Sequence, residues 1–270
     1  MSRRNAQAII MGLTLGFSIV LPALADTPSR RGYVEPAQLT KLVEAYAPAP
    51  VADSPEDLAD KAASAQFRSL ENTDRWMLAT THAEMRPPLG IHHFECALGY
   101  RVDPASAPVL TRLYTQLLFD ANGLAEQIKA RSPRARPIAD DPARPACERL
   151  TEAGRTSSSY PSGSASLATA YGEALAVIVP EKAQSLRESA RQVALSRLVC
   201  GMHYPQDVKV GIQVGKAAFG LASATPAFAE DVVAARAELA TAQAKGETNP
   251  DCVAERAALA IPLPPPLPLP

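Results

Sequence analysis

The stretch Val193-Ala194-Leu195-Ser196-Arg197-Leu198-Val199-Cys200-Gly201-Met202-His203-Tyr204-Pro205-Gln206-Asp207 decides how this chain is read. Val193, Ala194, Leu195, Leu198 and Val199 form an apolar helix end, and Arg197 sits inside it. A buried guanidinium needs a partner, and an oxyanion would serve. His203 and Asp207 are four residues apart, hence on one face if helical. An aspartate bonded to one ring nitrogen fixes the tautomer and aims the other nitrogen at a substrate. Taken singly, the same pair also reads as a capped, satisfied histidine.

Helical periodicity extends outward from this stretch. It predicts helices over 163–178, 181–199, 204–222 and 226–244. Pro36 to Ala47 reads as a short helix. Ser54-Pro55-Glu56-Asp57 opens a longer one expected to run to Met85, with a capping Ser, Pro at the first position and acids in the first turn. Asp103-Pro104 opens another, carrying Leu110, Leu113, Leu117 and Leu118 and fading between Lys129 and Pro133. Residues 133–161 are rich in Pro, Arg and Ser and read as a loop holding one helical turn. So long a loop in a helical domain is often functional. Ile261 to Pro270 has six Pro in ten residues and is expected to be an extended, solvated tail.

Composition agrees with an all-α, single-domain helical bundle. Among 270 residues, 47% are hydrophobic and 20% charged, which excludes disorder throughout. Aromatics are only 5%, whereas strands are enriched in aromatic and β-branched residues. Lys and Arg total 27 against 28 Asp and Glu, so the basic field of a nucleic-acid binder is missing.

The N-terminus has the parts of a secretory signal peptide in order. Arg3 and Arg4 precede an apolar stretch from Ala8 to Leu21, then Pro22 and the small-residue signal Ala23-Leu24-Ala25. An uncleaved anchor is the alternative, but the apolar run falls short of the ~20 residues a span needs. The expected layout is a signal peptide at 1–25, a loose segment at 26–35, a helical domain at 36–250 and a Pro-rich tail at 251–270, with no membrane span after cleavage. Cys96, Cys147, Cys200 and Cys252 then fall in an oxidising compartment, where an even count suggests two disulfides. Three pairings are open, and free thiols are the alternative. There is no C-x-x-C pair, and the four His are not spaced with the cysteines as zinc ligands, so no metal site is expected.

Two further clusters flank the long loop. Lys129 and Arg136 bracket a helix end; singly, they read as solvated charges favoured there. Ser162-Gly163-Ser164 opens the next helix; singly, it reads as an ordinary cap. Free amides at a helix start also make an anion site, and Gly lets the anion come close. Together with Arg197 and an Asp-oriented His203, these residues describe a site for a tetrahedral anion.

The three clusters carry a resemblance. Lys129…Arg136-Pro137, then Pro161-Ser162-Gly163-Ser164, then Ser196-Arg197…His203…Asp207 resembles the motif set of the phosphatidic-acid-phosphatase type 2 superfamily, which includes vanadium haloperoxidases. The wording around Ser159-Tyr160-Pro161 and Cys200-Gly201-Met202-His203-Tyr204 is similar to class A bacterial non-specific acid phosphatases. The resemblance implies the helical fold of that superfamily and periplasmic hydrolysis of phosphate monoesters without a cofactor. It implies that Lys129, Arg136, Arg197, Ser162 and the Gly163 amide bind phosphate. His203 would attack phosphorus to form a phosphohistidine, and Asp207 would orient it. The implied partners are small phosphate monoesters and inorganic phosphate, with a homo-oligomer allowed.

One position departs. Ser164 stands where the family's motif has the histidine that protonates the leaving alcohol, and a general acid is typically worth ~10²–10⁴ in rate. The expectation is therefore an acid phosphatase whose leaving-group step is impaired, or, alternatively, a phosphate-binding protein without turnover. A vanadate-dependent peroxidase is a third reading, which the small size and class A wording disfavour. His92 and His93 are candidates for a substitute acid. Cys147 is expected to pair with Cys200, since both flank the site, leaving Cys96 with Cys252.

Overall fold

The computed structural model describes residues 31–265; the expected signal peptide at 1–25, residues 26–30 of the expected loose segment and residues 266–270 of the expected tail lie outside it. Prolines and short polar side chains open most of the helices. In chain order these are α1 (Pro36–Val43), α2 (Pro55–Gln66), α3 (Asp74–Thr81), α4 (Glu95–Leu98), α5 (Pro108–Arg131), α6 (Pro137–Asp140), α7 (Glu152–Thr156), α8 (Gly163–Ile178), α9 (Ala183–Val199), α10 (Pro205–Ser223), α11 (Pro226–Lys245) and α12 (Cys252–Leu259). Among the described residues there is no strand, so the all-α expectation holds. Among them, too, no helix is long and apolar enough to cross a membrane.

Helix α8 is the axis. It is built largely of Ala, Gly and Ser, is buried on nearly every side and packs against α5, α9 and α10. Small residues allow the close approach. A Cβ on Gly211 of α10 would lie 2.5 Å from the Ser162 carbonyl oxygen, so only glycine fits there. That contact brings the starts of α8 and α10 together. The main core lies between α5, α8, α9, α10 and α11, with Tyr114 stacked on Tyr171 at 4.0 Å between ring centroids. A second cluster, including Trp76, Ile138, Leu198, Met202 and Val208, supports the segment that carries His203.

The structure corrects several boundaries. The helix expected from Ser54 to Met85 is two helices, because Asn72 takes a left-handed φ of 62° and Thr73 caps α3 by accepting from the Trp76 amide. The helix expected from Asp103-Pro104 starts four residues later. Asp103 caps only a short 3-10 turn, and the Glu238 carboxylate of α11 receives the Val109 and Leu110 amides at the true start of α5. Residues 252–259 were expected to belong to the tail but form α12, and Ile261 and Leu263 pack against the second cluster. A disulfide from Cys252 to Cys96, with Cα atoms 5.4 Å apart, fastens α12 to the body.

Candidate active site

The end of α5, the start of α8, the end of α9 and the turn before α10 converge on one cavity of about 210 Å³. Of the residues singled out in sequence, Lys129, Arg136, Gly163, Ser164, Arg197 and His203 line it. Asn122 and Glu148 line it as well. Gly163 begins α8, where no preceding helical carbonyl takes the first amides. A Cβ there would stand 3.2 Å from Asn122 Oδ1 and 3.6 Å from Lys129 Nζ, so glycine keeps the helix start close to the lysine.

His203 lies at the floor, 2% exposed. Its Nδ1 is 2.7 Å from the Ser159 carbonyl oxygen. A carbonyl only accepts, so Nδ1 carries the proton. Its Nε2 is 3.2 Å from Arg136 Nη1, a group that only donates. Both contacts demand the same tautomer, with the Nε2 lone pair on the cavity side. Burial first, then Arg136, Arg197 and Lys129, hold the imidazole well below its ordinary pKa, so the ring stays neutral.

The expected role of Asp207 is corrected. Its Oδ2 is 3.8 Å from His203 Nδ1, beyond hydrogen-bonding distance. The carboxylate is taken instead by its own helix, through the Tyr204 amide at 2.8 Å, and by Arg134 at 2.8 Å. Ser159 orients the ring in its place. Ser162 also differs from expectation: it is fully buried, caps α8 by accepting from the Ala165 amide and is not a wall of the cavity.

The three cations are held differently. Lys129 pairs with Glu126 at 2.6 Å and Arg197 with Glu148 at 3.0 Å. Among the described residues Arg136 has only neutral partners: Ser157, the Ser158 carbonyl, the Met202 carbonyl and His203. Burial, then Arg197, lower its guanidinium to about 10, so it remains charged in acid and at neutrality. Arg197 Nε is buried without a hydrogen-bond partner among the described residues.

The loop over 133–161 owes its shape to inward-pointing arginines. Arg134 pairs with Asp57 at 2.7 Å, Asp60 at 2.6 Å and Asp207 at 2.8 Å. Burial opposes its charge, but Asp207, Asp57 and Asp60 outweigh that and raise its pKa. Arg144 reaches Ser64 on α2 at 2.9 Å. A disulfide joins Cys147 to Cys200, with Cα atoms 4.7 Å apart, so both expected pairings form. The loop's single expected turn is two short helices, α6 and α7.

His92 and His93 do not reach this cavity. They line another, of about 440 Å³, with His82 and α12. His93 Nε2 is held by the Glu84 carbonyl at 2.7 Å and His92 Nδ1 by Glu95 at 2.9 Å.

Known proteins resemble this chain over most of its length. The PAP2 superfamily profile matches residues 110–229, which contain every residue singled out for the site. An acid phosphatase of Zymomonas mobilis subsp. mobilis is 29% identical over 215 residues, 78% of this chain and 81% of its own. A non-specific acid phosphatase of Salmonella typhimurium is 30% identical over 200 residues, 71% of this chain and 77% of its own. One of Providencia stuartii is 27% identical over 209 residues, 77% and 84%. With its helical architecture, its cation-lined cavity and likeness over most of its length to these enzymes, the chain belongs to the PAP2 superfamily and is a homologue of the bacterial non-specific acid phosphatases.

Proposed function

We propose that this protein hydrolyses phosphate monoesters in the cavity around His203, through a phosphohistidine. The observation that carries the reading is the neutral, fixed His203, whose Nε2 faces the cavity beside Arg136. The phosphoryl oxygens settle among Lys129, Arg136, Arg197 and the first amides of α8. Nε2 then attacks phosphorus, and the bond to the leaving oxygen breaks. The charge developing on the phosphoryl oxygens meets preorganised donors, which is where most of the rate acceleration arises. Nδ1 keeps its proton throughout, and the Ser159 carbonyl steadies the ring as it becomes cationic. Water then attacks phosphorus, the P–N bond breaks, and Nε2 recovers its electron pair. The periplasm is the compartment we assign, on the leader-like start of the sequence and the two disulfides.

Ser164 favours a second reading, phosphate binding without turnover, because a hydroxyl is too weak an acid to replace an imidazolium. Quenching the protein in base during reaction with para-nitrophenyl phosphate separates the two. The expected result is a base-stable, acid-labile phosphoprotein, absent from His203→Ala. Calorimetry with inorganic phosphate should show strong weakening in Arg197→Ala. Binding without trapped phosphoprotein or turnover selects the second reading. Equal phosphate affinity in wild type and Arg197→Ala rejects the site.

A further inference from the structure

The leaving oxygen still needs a proton, and the cavity holds one carboxyl group among its walls, Glu148. It directly follows Cys147, whose disulfide to Cys200 holds this part of the loop against the end of α9. Its two oxygens lie 3.0 and 3.5 Å from Arg197 Nη2 and Nη1. The Glu148 side chain is 24% exposed, against 4% for Arg197 and 3% for His203. The nucleophile is therefore at the floor and the carboxyl group nearer the mouth. In-line displacement by Nε2 sends the leaving group away from the buried His203 and toward the open side of the cavity, and Glu148 is the more exposed of the two side chains.

We propose that Glu148 protonates the leaving oxygen, and that the substrate itself loads it: the arriving phosphoryl group takes Arg197 from Glu148, and the released carboxyl group, now beside an anion, binds a proton. This rests on the phosphatase reading and extends it. The charged and titratable groups facing Glu148 across the cavity are Arg197 from α9, Lys129 from α5, Arg136 at the start of α6 and His203 before α10, with Glu126 of α5 paired to Lys129 at 2.6 Å. With a phosphoryl dianion seated among the three cations, their field at Glu148 is largely cancelled and a like charge is added. Both changes favour the neutral acid. Arg197 Nε, buried and unpartnered, is a donor still available to the incoming oxyanion.

The step balances. Nε2 bonds to phosphorus as the phosphorus–oxygen ester bond breaks, and the leaving oxygen takes the proton of Glu148. This yields the alcohol, phosphohistidine and a carboxylate. In the second half that carboxylate takes a proton from the attacking water, the P–N bond breaks, and phosphate leaves. As phosphate departs, Glu148 gives that proton back to solvent and, as the carboxylate, pairs again with Arg197.

The test uses the full chain, with sulfate as probe because it does not itself titrate near pH 6. Calorimetry in buffers of different ionisation enthalpy should show close to one proton taken up per sulfate bound, and none in Glu148→Gln. Glu148→Gln should lower turnover of an alkyl phosphate about 100-fold more than that of para-nitrophenyl phosphate, whose leaving group needs no proton. Adding Ser164→His to that variant should restore the alkyl rate, which a merely structural role for Glu148 would not allow. Sulfate binding without proton uptake, or an equal fall in both rates, overturns the proposal and leaves the phosphatase reading standing. Failure of wild type to bind sulfate or turn over the aryl ester overturns both.

Discussion

Ser164 and His203 make opposite demands on pH. His203 must be neutral to attack, and its buried, cation-lined seat keeps it so well into acid. A histidine at position 164 would have to be charged to donate. With Glu148 replaced by Gln, Ser164→His should therefore raise the alkyl-phosphate rate by up to ~10²–10⁴ while changing the aryl rate little, and its gain should fade as pH rises past imidazole's ordinary range. Paired pH–rate profiles on the two ester classes would show this; identical profiles for Glu148→Gln with and without Ser164→His would remove position 164 from the account. At this scale the sequence exposed the residues with distinctive side chains. Lys129, Arg136, Arg197 and His203 stand in the cavity as their spacing suggested. Ser159 was not legible, because it acts through a backbone carbonyl that any residue would supply. Glu148 was not legible either, because an acidic residue in a polar loop looks solvated until Arg197 is found beside it.

At the scale of elements, the loop over 133–161 has little apolar surface of its own and is held by ionic contacts. Arg134 is 6% exposed and serves three carboxylates from two distant helices. Replacing it by Met would leave Asp57, Asp60 and Asp207 buried without their cation, and breaking a buried pair from one side costs about 3–5 kcal/mol. Arg134→Met should lower the urea midpoint by a corresponding amount and, because Asp207 also caps α10, disturb phosphate binding. An unchanged midpoint would show that the cluster does not hold the loop. The long helices were legible because each keeps an apolar face: Leu110, Leu113 and Leu117 are all buried. The break at Asn72 and the displaced start of α5 were not. The first depends on one left-handed residue, and the second on Glu238, which arrives from α11. Arg134 escaped notice for the same reason, since Asp57 and Asp60 lie 77 and 74 residues away.

At the scale of the molecule, a buried carboxyl group ties the backbone of the N-terminal segment to the bundle. Asp120 of α5 accepts the Tyr33 and Val34 amides at 2.9 and 3.2 Å, and burial pushes it from 3.8 up to about 6. A carboxyl group raised on folding gives stability that is fully present below its unfolded value and is lost as pH rises through the folded one. Stability should thus decline between about pH 4 and 6 on account of this group, and Asp120→Asn should flatten that decline. Urea midpoints measured across that window check it, with parallel curves for wild type and variant as the contrary result. This contribution grows toward acid, the same direction in which His203 stays neutral and usable.

The Cys147–Cys200 bridge has a kinetic consequence. Glu148 follows one half-cystine and Arg197 precedes the other by three residues, so the bond makes the carboxylate a tethered competitor for its own guanidinium. A ligand on so short a leash has an effective concentration on the order of millimolar. An incoming oxyanion must displace this resident partner before it can use Arg197, so the bridge lowers the apparent affinity of the pocket for every oxyanion. Reducing it would slacken the leash and raise that affinity.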